Sequence, residues 1–264
     1  MLRGPGLTSR DVTIYFHPSC ETSHEVITGL RRAGALGRVR LVRLGSLEAV
    51  RLGVLSVPWV TVGDEPAATD PVSAEEVIDI VNGSKVDPGD PVEAFMNSVL
   101  HSSLASAVAI LHGSLAPVAV RELVSAAVRS PVSGVRPEQV IGEVIRKDRE
   151  LFAEWRDKLR RALSISFVRE LYWASGGALS PQLVRELSRP EVVGLWLLGK
   201  GSLGRSALPY NPKGSASEDV EWIAEFVSRT ASGLLEKVRE EQEGIYSDKE
   251  YMEVVSSASG PSGP

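Results

Sequence analysis

One cysteine, Cys20, in 264 residues rules out an intramolecular disulfide framework and fits a chain working in a reducing compartment. Positive charge is not in surplus. With 29 Lys and Arg against 34 Asp and Glu the net charge is -5. Neither half supplies the cationic excess that phosphate neutralisation demands, so no nucleic-acid partner is expected. Long apolar runs are missing too. The longest uncharged stretch, residues 94–119, carries Asn97, His101, His112, several serines and Pro117. It predicts a buried core helix, and no membrane partner is expected. Residues 1–6, Met-Leu-Arg-Gly-Pro-Gly, lack the apolar stretch of a secretory signal, so the expected location is cytoplasmic. Asn, Gln and Met number three each, and 22 Arg stand against 7 Lys, a composition of the kind a thermophile shows.

What is present is a globular composition, 43% hydrophobic and 24% charged, long enough for two domains. Residues 12–83 alternate strand and helix signals. Val12-Thr13-Ile14-Tyr15-Phe16 reads as a strand, and Val26, Ile27, Leu30 and Ala33 then recur at helical spacing with Gly34 where a C-terminal cap belongs. A second strand is predicted over 39–44, a short helix over 47–52 and a third strand over 57–62, which turns at Gly63-Asp64 into a fourth through Ala67 and Ala68. Ser73 with Glu76 forms a capping box before Val77, Ile78 and Val81, and Asn82-Gly83 ends that helix.

Residues 84–91, rich in Pro, Gly and Asp, read as a linker. Beyond it the predicted helices cover 92–112, 116–129, 137–175, 181–198 with a break at Pro190, and 217–242. In the long third one, Val144, Leu151, Phe152, Trp155, Leu159, Ala162, Leu163 and Leu171 share a stripe, and Glu154 is placed to pair with Lys158. The expected domains are thus residues 10–84, α/β, and 91–255, all-α, followed by a disordered tail of Ser, Ala, Gly and Pro at 256–264.

The order strand, helix, strand, helix, strand, strand, helix, with Cys20 and Ser23 after the first strand and Val57-Pro58 opening the third, resembles the thioredoxin superfamily. The likeness is to its compact form, found in glutaredoxins and in the first domain of glutathione transferases, and it covers residues 10–84 only. It implies a cis-proline at Pro58 beside the sulfur, with His17, Val57, Pro58 and Trp59 around the substrate; Trp59 is equally a core candidate. A thioredoxin-like domain followed by a helical one resembles the layout of glutathione transferases, which is fold-level analogy without an activity attached.

Chemistry centres on Cys20, placed at a helix entrance where backbone amides and the helix dipole favour thiolate. Dithiol relatives resolve the mixed disulfide with a second cysteine three residues on. Here Ser23 stands in that place, and a hydroxyl cannot resolve a disulfide. A one-cysteine cycle with an external thiol, a covalent complex with a partner, or capture of a thiol ligand remains. His24, one turn from Cys20, favours the thiolate when protonated, and Glu21 opposes it. Cys20, Ser23 and His24 are therefore the catalytic candidates. No metal is expected, because His17, Cys20 and His24 lack a structural zinc spacing and a fourth ligand. No cofactor is expected either.

Gly194 to Gly201 imitates a phosphate loop, but Gly201 follows Lys200 where Ser or Thr belongs and the spacer residues are bulky and apolar. Residues 199–216 read as a long loop and candidate lid, with Arg205, Tyr210 and Lys213. The leading expectation is a single-cysteine thiol-disulfide oxidoreductase whose partner is a protein or a low-molecular-weight thiol. The alternatives are a thioredoxin-like protein-binding module without turnover and a glutathione-transferase-like enzyme, the latter with Ser23, Cys20 or Tyr15 near the ligand sulfur; a homodimeric assembly fits the latter and the other readings as well. For the latter, Asp70 and Ser73 do not match the acid-Ser pair that holds the glutathione γ-glutamyl group.

Overall fold

The computed structural model describes residues 12–44, 53–203 and 216–258. Four strands, β1 (Val12–Phe16), β2 (Arg40–Arg43), β3 (Trp59–Val62) and β4 (Glu65–Thr69), form one mixed sheet in the order β2-β1-β3-β4. β1 and β2 run parallel, as a crossover through helix α1 (Glu21–Arg32) allows. β3 lies antiparallel to β1, and β4 returns from it through the Gly63-Asp64 turn.

All five residues of β1 are buried, so both faces of the sheet are covered. On one face Val12, Ile14, Val60, Val62 and Ala68 meet Val26 and Leu30 of α1 and Val77, Ile80 and Val81 of α2 (Ala74–Asn82). Each such side chain contributes about 1.5–3 kcal/mol by leaving water. α1 and α2 approach so closely at Gly29 that a Cβ there would collide with the Cβ of Ala74. The Ser73–Glu76 capping box is formed in both directions, at 3.1 and 2.9 Å, and Gly83 closes α2 in the left-handed region at φ 70°.

The remaining helices are α3 (Pro91–His101), α4 (Ser103–His112), α5 (Arg121–Ala127), α6 (Ser130–Ser133), α7 (Pro137–Arg146), α8 (Asp148–Ala174), α9 (Pro181–Leu187), α10 (Pro190–Leu203), α11 (Ala216–Ser247) and α12 (Lys249–Ser257). Several predicted helices are divided. The helix expected over 92–112 breaks at Ser102, whose hydroxyl accepts from the Ala105 amide and starts α4, so His101 and His112 share no continuous helix face. The one expected over 137–175 breaks at Lys147, and Asp148 turns back to accept from the Ser114 hydroxyl at 2.8 Å and the Leu115 amide at 2.6 Å. α11 runs five residues past its expected end at 242. Ser256 and Ser257 of the expected disordered tail belong to α12, a helix the periodicity reading leaves out. The helix expected over 47–52 and most of the 199–216 loop lie outside the described residues, while 199–203 is the last part of α10.

Contacts divide the described residues into two units that interleave in sequence: those within 1–98, 120–142 and 245–264 group as one, and those within 99–119 and 143–244 as the other. In the first, β4 packs against α5 and α6. Arg129 between those helices is buried in the left-handed region at φ 52°. It donates to the Pro71 carbonyl at 2.6 Å and to Glu76 at 3.1 Å, joining the start of α2 to the α5–α6 corner.

In the second unit α4 is buried from Ala105 to Leu111 and packs against α8 and α10. Leu151, Trp155, Leu159, Leu163, Phe167 and Val168 form the buried stripe of α8; Phe152, Ala162 and Leu171 are half-buried at its margin. Lys158 lies over the Trp155 ring at 3.8 Å in place of the expected pair with Glu154. Arg160, also buried, donates to Asp219 of α11 at 2.5 Å, and Arg156 donates to the same oxygen at 2.8 Å. Arg169 holds Glu241 through two bonds, at 2.9 and 2.8 Å, and the Trp173 indole donates to Gln242 at 2.8 Å. The phosphate-loop imitation lies within α10, where Lys200 pairs with Glu170.

Candidate functional site

β1 ends at Phe16, and the next four residues make a tight turn into α1. The Cys20 amide donates to the His17 carbonyl at 3.1 Å, while the Ser19 amide donates to His17 Nδ1 at 3.2 Å. Cys20 is the N-cap of α1 with extended backbone, φ -91° and ψ 125°, and its carbonyl takes the first helical bond, from the His24 amide at 2.9 Å. Its side chain caps no amide, which leaves the thiol directed elsewhere.

That direction is the Val57 carbonyl. Cys20 Sγ donates to it at 3.4 Å, across 37 residues of chain. Val57 is followed by a cis peptide bond to the buried Pro58, and β3 begins one residue later. Cys20 and Val57 are both half-buried residues.

The other predicted positions divide. His17 is joined to Cys20 through the backbone bond of the turn, and Pro58 follows the residue whose carbonyl the thiol reaches. Trp59 is fully buried in β3, opposite Tyr15 and Thr69, and belongs to the core. Ser23 is fully buried as well, and its hydroxyl has no hydrogen-bond partner among the described residues. His24 turns its ring to Asp248, with Nε2 3.0 Å from Oδ2, and meets the Tyr251 ring edge-on at a centroid distance of 4.7 Å.

Asp248 and Tyr251 belong to a part of the site that sequence reasoning missed. The chain from Ile245 onward lies beside the cysteine turn, with Ile245, Tyr251 and Val255 completing an apolar cluster with Phe16 and Ile27. The Tyr251 hydroxyl donates to the Pro18 carbonyl at 2.9 Å, and the Tyr246 and Ser19 hydroxyls share a hydrogen bond of 2.6 Å. Arg31 pairs with Glu250, and Arg43 donates to the Val255 carbonyl at 2.8 Å near the end of α12, where a cation complements the helix dipole. The available signal was Asp248 three residues before Tyr251, an N-cap spacing; the Asp248 side chain does accept from the Tyr251 amide, at 3.0 Å.

The electrostatics follow from these contacts. The Tyr251 amide, and after it His24, holds the Asp248 carboxyl below the usual aspartate value. Burial pushes the Tyr251 phenol well above the usual tyrosine value, and negative charge on Cys20, Tyr246 or Asp248 pushes it the same way. Among the described residues, no group of three or more His, Cys, Asp and Glu side chains is placed to hold a metal ion. Among them, too, no single helix is long and apolar enough to cross a membrane.

No family model matches this chain, and no curated protein and no solved structure matches it.

Proposed function

We propose that this protein takes part in thiol-disulfide exchange through Cys20 as a lone nucleophile, as a thioredoxin-like chain without a resolving cysteine. The observation that carries the reading is the half-buried Cys20 at the N-cap of α1, its sulfur 3.4 Å from the carbonyl that precedes Pro58. The mixed sheet supports it, since a thiol after β1 and a proline before β3 is the arrangement that the thioredoxin resemblance implies.

The exchange step follows from the groups present. Cys20 loses its proton to solvent, and with it the bond to the Val57 carbonyl. The thiolate then attacks one sulfur of a substrate disulfide: a new S–S bond forms to Sγ, the substrate S–S bond breaks, and the departing thiolate takes up a proton. Ser23 offers no second sulfur, so an external thiol, as its thiolate, attacks the substrate sulfur of the mixed disulfide: an S–S bond forms between those two, the bond to Sγ breaks, and the Cys20 thiolate takes up a proton. His24 contributes less directly than a free imidazolium would, because Asp248 sits against its Nε2 and offsets any positive charge there.

A second reading, a binding module without turnover, draws support from the bond to Val57, which exists only while the sulfur is protonated. The glutathione-transferase-like reading has less support. Ser73 and Glu76 are engaged with each other in the capping box, and Glu76 is also held by Arg129.

Alkylation of Cys20 by iodoacetamide in the native protein, followed against pH by mass spectrometry, tests the proposal. Fast labelling with an apparent pKa below about 7, and mixed disulfides trapped through Cys20, are expected of an activated thiolate. Labelling that requires denaturant would end the exchange reading and leave the binding module.

A further inference from the structure

The two residues before Cys20 are each held from the far end of the chain. The Pro18 carbonyl accepts from the Tyr251 hydroxyl at 2.9 Å, and the Ser19 hydroxyl shares a 2.6 Å hydrogen bond with that of Tyr246. These four residues, Cys20 and Val57 all belong to the first unit. The tyrosines are themselves fixed. Tyr251 is buried in the apolar cluster of Phe16, Ile27, Ile245 and Val255, and Asp248 caps its helix. Tyr246 lies in the last turn of α11. A separate hold comes from Val57, whose carbonyl accepts from the Cys20 sulfur at 3.4 Å.

Two influences on the thiol therefore oppose each other. A carbonyl acceptor favours the protonated sulfur, whereas the start of α1 favours the thiolate. A thiol is a weak donor, so the bond to Val57 lasts only while the turn keeps the sulfur within reach. The tyrosine hydroxyls supply that constraint through residues 18 and 19. Burial raises the Tyr251 phenol above the usual tyrosine value, so it remains a donor across the range in which a thiol titrates.

We infer that Tyr246 and Tyr251 are positioning residues for Cys20: by holding Ser19 and Pro18 they keep the sulfur on the Val57 carbonyl in its protonated form, and their release frees it to ionise. The inference rests on the exchange reading, whose reacting thiol it regulates. On release the thiol gives its proton to solvent, and the helix N-terminus then acts on the thiolate without the carbonyl bond to oppose it.

The test follows alkylation of Cys20 by iodoacetamide against pH in the full chain, by mass spectrometry, for the wild type, Tyr246→Phe, Tyr251→Phe, the double variant and Ser73→Ala. The titratable groups of the turn and of the elements bonded to it are His17, Glu21, His24, Tyr246, Asp248 and Tyr251. Phenylalanine differs from tyrosine by a hydroxyl that is uncharged at neutral pH, so a shift reports position rather than charge. The double variant should move the midpoint of labelling down by about one pH unit, about a tenfold faster reaction on the acid side of the midpoint. Each single variant should move it less. Ser73→Ala loosens the same unit at the start of α2, where the capping box is lost, and should leave the midpoint in place. No shift in the double variant, an upward shift, or an equal shift in Ser73→Ala would overturn the positioning role. If the double variant does not fold, the Tyr246→Phe midpoint decides in its place, since that ring is 49% exposed. Reaction with dithiodipyridine tests the underlying reading separately. A wild type that is alkylated yet forms no mixed disulfide with this probe would overturn exchange, while the midpoints still decide the positioning role. Failure of every variant to be alkylated without denaturant would overturn both.

Discussion

His24 Nε2 and Asp248 Oδ2 lie 3.0 Å apart, joining the first helix of the chain to the N-cap of the last across 224 residues. The other oxygen of the same carboxylate accepts from the Tyr251 amide. One acidic side chain thus starts α12 and ties it to the helix that Cys20 caps.

Replacing Asp248 by alanine removes the cap and the bond to His24 together, and should cost about 1–2 kcal/mol of stability in urea unfolding. Asp248→Asn keeps a capping oxygen and isolates the charge. Because the folded carboxyl titrates below its unfolded value of about 3.9, the charge stabilises the fold above that value. This contribution is lost as the pH falls through the folded pKa. The gap between wild type and Asp248→Asn should therefore be open near neutrality and close in acid.

Tyr251→Phe deletes one hydrogen bond, to the Pro18 carbonyl, and should cost about 1 kcal/mol. The phenol itself supplies a second check. Its folded pKa is raised, so the stability it contributes is present below the unfolded value of about 10 and falls as the pH rises through and beyond it. An ultraviolet titration of the wild type should show at least one tyrosine that stays protonated where the unfolded protein has ionised all five; normal titration of every tyrosine in the folded state would refute the burial argument.

In the second unit, Asp219→Ala leaves Arg160 buried without its main partner. Breaking a buried pair in this way costs about 3–5 kcal/mol, and the Arg160 and Asp219 side chains are only 7% and 4% exposed. A loss below 1 kcal/mol in chemical unfolding would mean that Asp157 and Glu218, which also contact Arg160, are sufficient partners.

Gly29→Ala should destabilise the first unit by about 1–3 kcal/mol through overpacking against Ala74. The double variant Gly29→Ala with Ala74→Gly opens room for the new methyl and should recover part of the loss. A double variant no better than the sum of the single ones would place the cause elsewhere.

How much of this was legible follows the range of each interaction. The β1–α1 step, the turn at Gly63-Asp64 and the Ser73–Glu76 capping box are local patterns, and the fold forms each of them. Helix breaks at Ser102 and Lys147 escaped the periodicity because a serine cap and a lysine inside continuous helical spacing give it no interruption. The cysteine was visible as a singular residue. Its surroundings were not, because Asp248 meets His24 across 224 residues, Tyr251 meets Pro18 across 233 and Val57 meets Cys20 across 37. Trp59 shows the converse limit, since adjacency to Pro58 in sequence says nothing of burial, and in a strand whose four residues are all buried its side chain belongs to the core.

The Tyr251–Pro18 bond spans 233 residues, and this separation sets a timetable for synthesis. At about 5–20 residues per second, on the order of ten to fifty seconds pass between the emergence of Pro18 from the ribosome and that of Tyr251. Throughout that interval the nascent chain carries its only thiol on a turn that lacks Tyr246, Asp248 and α12, so Cys20 is open to modification in a setting the finished protein never presents.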